Sequence, residues 1–280
     1  MNIQFLCPRW GAEQIGWRQF LTEVKQAGYG GIEWFPLGEA RNDHLVLDLL
    51  EQLDLTFSIV MAVASPYRTF EHYILDLKKD LLDMANVGSE AKRPLFISAQ
   101  TGREFFRSNQ ILQCLRVCSA IEKETGIPVL QETHRNKWSY GAHTVSPILQ
   151  KVPDLKLTLD VSHWFCVSES YLEDQQDAIN LAVTRAQHIH ARVGHIEGAQ
   201  VFDPALPEYA EALDAHLKIW DAWIAYQRSL GKDTVTITPE FGPQPYLTRA
   251  GRKIDLQKEQ WRLNLWMKSL LEDRYTKRTS

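Results

Sequence analysis

The sequence predicts an α/β protein whose fold class is a (β/α)8 TIM barrel. Two observations predict it: short apolar, β-prone runs alternate with amphipathic helical stretches, and each kind occurs eight times in 280 residues. Because the eight units fill the whole length, a closed barrel is favoured over an open doubly wound sheet. No linker rich in proline, glycine or serine divides the chain, so we expect one domain over residues 1–280.

The predicted elements follow each other regularly along the chain. The strands cover residues 3–6, 31–34, 56–63, 94–99, 128–132, 156–160, 188–193 and 235–240. The helices cover residues 17–27, 45–53, 70–85, 111–124, 145–150, 174–186, 209–229 and 256–271. Several helices end at a glycine just before a strand, as in KETGIPVLQE and RSLGKDTVTI, because glycine readily adopts the left-handed conformation that closes a helix.

Composition limits the classes of partner. With 31 Lys and Arg against 35 Asp and Glu, the net charge of −4 argues against a nucleic-acid partner, which a basic face would serve. The four cysteines form no CxxC pair, which favours reduced thiols in a cytoplasmic protein. The start MNIQFLCPRW has no targeting pattern, and no stretch approaches the ~20 apolar residues of a membrane helix, so we expect no membrane partner.

Residues that bind metals end four consecutive predicted strands. They are Glu132, Asp160, His190 and Glu240. Active sites of (β/α)8 barrels lie at the carboxyl ends of the strands, so these side chains should meet at one rim. Three carboxylates and one imidazole suit one divalent metal ion, Mn²⁺, Mg²⁺, Co²⁺ or Zn²⁺. His188 points to the same side as His190, and we favour His190 as the ligand because it lies nearer the strand's carboxyl end.

The ordered set, with the DxxH motif at residues 160–163, resembles the xylose isomerase-like TIM barrel superfamily. That superfamily includes sugar isomerases, ketose 3-epimerases, inosose dehydratases and apurinic endonucleases, and the resemblance covers nearly the entire chain. It implies that one metal ion is held by Glu132, Asp160, His190 and Glu240. It also implies substrate contacts by His163 and by an arginine, here Arg192, which follows the ligand histidine more closely than in those epimerases. A homo-oligomer is implied by the resemblance alone.

The resemblance implies chemistry at a carbon next to a carbonyl group. A metal ion between a carbonyl and a hydroxyl oxygen stabilises the enediolate that remains after proton removal. Glu132 and Glu240 are the candidate catalytic residues, one removing a proton and the other returning it. The predicted activity is a sugar isomerase or epimerase of carbohydrate metabolism. A dehydratase, which is a lyase, and a non-catalytic metal-dependent sugar-binding or sensor protein are the alternatives.

Further polar and aromatic residues near the strand ends are candidates for substrate binding. His134 and Arg192 each lie two residues beyond a ligand, and Trp164 either stacks on a sugar or packs in the barrel mouth. Glu33 either accepts a hydroxyl or pairs with Arg9. Since GxGxxG and P-loop patterns are absent, we expect a free sugar or polyol ketone as substrate. The apurinic endonuclease branch uses three zinc ions and binds DNA, which needs more histidines and a basic groove. With only nine histidines and a net charge of −4, this chain is not expected to belong to that branch.

Overall fold

In the computed structural model, which describes residues 1–36, 43–89, 91–249, 251 and 253–276, eight parallel strands form a closed barrel. The strands are β1 Asn2–Pro8, β2 Gly31–Trp34, β3 Thr56–Ala62, β4 Ile97–Gln100, β5 Val129–Glu132, β6 Leu157–Leu159, β7 Ala186–His190 and β8 Thr234–Thr238. They are paired in chain order, and β8 closes on β1 with Asn2 opposite Thr234 and Phe5 opposite Ile237. The predicted fold class is confirmed.

Helices follow the strands around the outside of the barrel. In the described part of the chain they are α1 Trp17–Gln26, α2 Asp43–Gln52, α3 Phe70–Ala85, α4 Ser108–Thr125, α5 Ala142–Lys151, α6 Ser162–Ser168, α7 Gln176–Arg185, α8 Ala210–Ser229 and α9 Leu256–Thr276. Eight of them match the predicted helices. Helix α6 was not predicted, because its seven residues are too few to show a helical period.

The interior of the barrel changes from apolar to polar toward the carboxyl ends of the strands. Leu6, Phe96 and Leu130 form a small buried cluster separate from the main core. The hydroxyl of Ser98 on β4 donates to Thr158 Oγ1 on β6 at 2.9 Å, across the intervening strand β5, so both side chains point inward. Because successive residues of a strand alternate sides, Glu132, two residues after Leu130, also faces the interior.

No helix among the described residues is long and apolar enough to cross a membrane.

Candidate metal and substrate site

The four predicted metal ligands lie at the same end of the barrel. Glu132 is the last residue of β5, Asp160 directly follows β6, His190 is the last residue of β7, and Glu240 follows β8 by two positions. All four side chains are buried, with Glu240 the most exposed at 7%. Ionised side chains are not buried alone without a large cost, so each of them needs a partner or a cation.

His190 lies between carboxylates on both edges of its ring. Its Nδ1 is 3.0 Å from Glu240 Oε2 and 3.7 Å from Glu132 Oε1, and its Nε2 is 3.0 Å from Glu33 Oε2. Neither nitrogen makes a well-aligned hydrogen bond, although the residue is completely buried. Burial opposes protonation of the ring, but Glu240, Glu33 and Glu132 together raise the pKa of His190 well above its usual value.

Three groups of side chains in the described part of the chain bring ligand atoms within 4.8 Å of one another. They are Glu33 with His188 and His190, Glu132 with His134 and His163, and Glu132 with His190 and Glu240. Their hydrogen-bond partners distinguish them, because a nitrogen already engaged by another group must give up that contact before it can bind a metal.

In the group around His188, both ring nitrogens of that histidine already have hydrogen-bond partners. His188 Nδ1 is 2.7 Å from Thr236 Oγ1, and its Nε2 is 3.0 Å from Thr238 Oγ1. Burial lowers the pKa of His188 to about 3, so the ring is neutral and both its nitrogens are satisfied. This geometry supports the preference for His190 over His188 as the ligand.

The group around His163 faces cations instead of an open space. Its Nδ1 is 2.8 Å from Arg135 Nη1, and its Nε2 is 2.8 Å from Arg192 Nη2. The ring of His134 packs against that of His163 at 4.0 Å between centroids. A divalent cation here would be repelled by two guanidinium groups, so this group does not fit a metal ion.

The group formed by Glu132, His190 and Glu240 fits a divalent cation. Burial, and then the nearby charges of Glu240, Asp160 and Glu33, raise the pKa of Glu132 to about 8 against the opposing effect of His190. A cation among these groups would relieve that crowding of negative charge. With two carboxylates and one imidazole as ligands, the remaining coordination positions stay available to water or substrate.

Asp160, a predicted ligand, lies outside this group. Its Oδ2 contacts Arg192 Nη2, and its Oδ1 accepts from the backbone N–H of Ser162 at 3.0 Å. Arg192 Nη2 also lies 3.8 Å from Glu240 Oε2. The guanidinium is therefore beside the group formed by Glu132, His190 and Glu240, which we call the metal group. Asp160 thus serves in this structure as the buried partner of Arg192.

A cavity of about 260 Å³ opens above the metal group. Five of the predicted site residues line it, namely Glu33, Glu132, His134, Arg192 and Glu240. Trp10, Gln100 and Tyr246 also line it, so its wall combines carboxylates, a guanidinium, an amide and aromatic rings. Such a mixed wall suits a small molecule that carries several oxygen atoms.

The substrate contact considered for Trp164 is not supported by the structure. Trp164 is completely buried, and its indole N–H donates to the carbonyl oxygen of Ser139 at 2.8 Å. It therefore packs in the barrel mouth, the other interpretation that the sequence allowed. Trp34 and Trp138 are also buried, each at 1% exposure, whereas Trp10 lines the cavity.

Three residues of the site, Gln100, Arg135 and Tyr246, were not predicted from the sequence. Gln100 donates to both carboxylate oxygens of Glu132, at 3.1 and 3.2 Å. Its place at the end of β4, two residues after the inward-facing Ser98, was a usable signal. Arg135 and Tyr246, which are joined by a hydrogen bond of 2.6 Å, lie in loops after β5 and β8, where no periodic pattern marks them.

Comparison with known proteins supports the fold. No protein-family model matches the chain. No curated protein matches it. Solved structures with the same fold include the probable 3-DHS dehydratase AsbF of Bacillus anthracis, with 19% identity, a TM-score of 0.60 and coverage of 96% of this chain and 99% of that one. Another is the 3-keto-D-glucoside 4-epimerase of E. coli, with 12% identity, a TM-score of 0.63 and coverage of 96% and 100%.

Endonuclease IV of Thermus thermophilus is a third such structure, with 14% identity, a TM-score of 0.54 and coverage of 97% and 98%. The chain thus has the fold of the xylose isomerase-like TIM barrel proteins, as the sequence predicted. Since these structures carry out different reactions on one fold, the reaction has to be argued from the site.

Proposed function

We propose that this protein is a divalent-metal-dependent sugar isomerase or epimerase that removes and returns a proton next to a carbonyl group. The observation that carries the proposal is the open group of Glu132, His190 and Glu240 beside the cavity. These three residues would hold the metal ion, which acts when bound as a Lewis acid on the carbonyl and hydroxyl oxygens of the substrate.

The two glutamates are the groups to which we assign the proton transfer. Glu132 on β5 and Glu240 after β8 come from strands separated by β6 and β7, and both line the cavity. Gln100 holds the carboxylate of Glu132, and His190 lies against that of Glu240. We assign removal of the proton to one glutamate and its return to the other, with Arg192 and His134 orienting substrate oxygens from the cavity wall.

A dehydratase is the second candidate. Loss of water after proton removal needs a protonated group to assist the leaving hydroxyl. AsbF, which shares the fold, is a probable dehydratase, and in this chain Glu132 and Glu240 both offer a carboxyl group to the same cavity. The same two glutamates would then act as base and acid in a lyase reaction.

Metal content tests the site. Purified wild-type protein loaded with Mn²⁺ or Zn²⁺ and then desalted should retain one ion per chain by elemental analysis. Glu132→Gln and His190→Ala should each lose it, whereas Glu51→Gln, which neutralises an exposed carboxylate on α2, should retain it. Retention of metal by both site variants would refute the assigned ligand set.

Product analysis separates the candidate reactions. Metal-loaded protein is incubated with ketoses, aldoses and inososes, and the mixtures are followed by ¹³C NMR. An epimer or an aldose–ketose pair supports the isomerase, and an unsaturated or deoxygenated ketone supports the dehydratase. A protein that retains metal and binds sugars but yields neither product would be a sensor.

A further inference from the structure

A row of three side chains runs from the metal group toward the rim of the barrel. Arg192, buried to 2% exposure, lies 3.8 Å from Glu240 at the inner end. His163 follows, completely buried, with Arg192 at 2.8 Å on one ring nitrogen. Arg135 is at the outer end, half-buried, 2.8 Å from the other ring nitrogen.

The contacts of His163 leave one guanidinium N–H without an acceptor in this row. A neutral imidazole accepts a hydrogen bond at one nitrogen only, and a protonated one accepts at neither. Since arginine donates and never accepts, at least one of the two 2.8 Å contacts sets a donor against a donor, whatever the charge of His163. A buried donor without an acceptor is costly, so an arriving acceptor would be favoured here.

Arg135 is the member of the row that lacks a charged partner. No carboxylate of the described residues forms an ion pair with it, whereas Arg192 contacts Asp160. Its other hydrogen bond, 2.6 Å long, goes to the neutral hydroxyl of Tyr246. A guanidinium group is a planar fork of donors that matches a carboxylate, and this fork is not matched.

Tyr246 connects Arg135 to the cavity. The ring of Tyr246 lines the cavity, and the Cζ atoms of Arg135 and Arg192 lie 5.3 and 5.2 Å from its centroid. Both guanidinium groups therefore lie near one ring that lines the cavity. An anionic group beside the Tyr246 hydroxyl would meet Arg135 directly.

We propose that the substrate carries a carboxylate that is bound by Arg135 at the rim, so that the protein acts on a sugar acid or a polyhydroxylated keto acid. The inference rests on the proposed function, because it places the reacting carbonyl at the metal group and the carboxylate at the outer end of the row. Arg135 is a specificity-determining residue in this arrangement, and His163 positions both guanidinium groups.

Matched ligands test the proposal. Binding of D-fructuronate, D-fructose and D-fructose 6-phosphate, which differ only at C6, to metal-loaded protein is measured by calorimetry. We expect the keto acid to bind at least ten-fold more tightly than either of the others. Arg135→Gln should lower the affinity for the keto acid at least ten-fold more than it lowers the affinity for D-fructose, which removes that preference. Arg103→Gln, which removes a rim arginine paired with Glu104, should keep it. Arg135→Lys, which retains the positive charge without the planar guanidinium group, should keep only part of the preference for the keto acid.

Three results would overturn the carboxylate site. The first is that wild-type protein binds the keto acid no more tightly than D-fructose, and the second is that it binds D-fructose 6-phosphate as tightly as the keto acid. The third is that the Arg135→Gln variant still prefers the keto acid. Deuterium exchange from D2O, measured in the same samples, reports on the proposed function separately. Exchange without acid preference refutes the carboxylate site alone, and acid preference without exchange in any ligand refutes the enzymatic proposal alone.

Discussion

Glu33 Oε2 lies 3.0 Å from His190 Nε2, on the edge of the imidazole ring opposite to Glu132 and Glu240. Glu33 belongs to β2 and His190 to β7, so the contact crosses the interior of the barrel. A histidine that binds a metal through one nitrogen commonly donates its other N–H to a carboxylate, which fixes the tautomer and the orientation of the ring.

The first prediction concerns this contact. Glu33→Gln should weaken divalent-metal binding by about 10- to 100-fold, because the carboxylate that holds Nδ1 toward Glu132 and Glu240 is lost. Calorimetric titration of metal-free protein with Zn²⁺ measures the change, with Glu51→Gln as the control. An unchanged affinity would show that Glu33 does not position the ring. ¹⁵N NMR of metal-loaded wild-type protein should show Nδ1 coordinated and Nε2 protonated.

The second prediction separates Asp160 from the metal ligands. Since Asp160 is engaged by Arg192 and Ser162, Asp160→Asn should retain the metal ion, whereas Glu240→Gln should lose it. Elemental analysis of both variants after the same loading and desalting gives the comparison. If Asp160→Asn loses metal as completely as Glu240→Gln, Asp160 is a fourth ligand and Arg192 must release it on metal binding.

The third prediction concerns the stability of the Asp160–Arg192 pair. Removing one partner of a buried ion pair leaves the other charge unpaired, so Arg192→Met should lower the free energy of unfolding by about 3 kcal/mol. Asp160→Asn combined with Arg192→Met should be less destabilised than the sum of the single variants. Urea unfolding of metal-free proteins at pH 7 measures all four. Additive effects would mean that the two side chains do not interact energetically.

The fourth prediction links pH to stability through His216. Its Nδ1 lies 2.7 Å from the carbonyl oxygen of Ala212, and its Nε2 accepts from the backbone N–H of Gly194 at 3.3 Å. Both nitrogens of the neutral ring are therefore hydrogen-bonded. Burial lowers the pKa of His216 to about 4. The pKa of His216 is lower in the folded state than in the unfolded state. The neutral ring therefore contributes fully to the free energy of unfolding above pH 6.5, and this contribution is lost as the pH falls toward 4.

His216→Gln should therefore show a smaller loss of unfolding free energy between pH 7 and pH 5 than wild-type protein, by about 2 kcal/mol. Urea unfolding at the two pH values measures the loss, and His44→Gln, at an exposed histidine on α2, is the control. Equal losses in His216→Gln and wild-type protein would contradict the assigned role of the buried ring.

The barrel and the meeting of Glu132, His190 and Glu240 could be predicted from sequence, because both depend on regular patterns. Short apolar, β-prone runs mark the strands, and the strand ends of a closed parallel barrel meet at one rim. The short helix α6 could not be predicted, since its seven residues were too few for a period.

The partners of individual side chains could not be predicted in the same way. Asp160 was compatible with a metal ligand and with an ion pair, and the choice depends on where Arg192 points in three dimensions. For Glu33, the local sequence offered Arg9 as a partner, while the contact with His190 joins strands far apart in the chain. Arg135 and Tyr246 come from two loops 111 positions apart.

In the proposed reaction, Glu132 and Glu240 remove and return a proton next to a carbonyl group while the metal ion is bound. Metal-loaded protein is incubated in D2O with a panel of ketoses, aldoses and keto acids, and deuterium at the α-carbon is measured by ¹H NMR. We expect at least one panel member to acquire deuterium with wild-type protein, and the rate to fall at least 100-fold in Glu132→Gln and Glu240→Gln. If no member acquires deuterium and no dehydrated product appears, or if both variants exchange at the wild-type rate, the proposed reaction is contradicted.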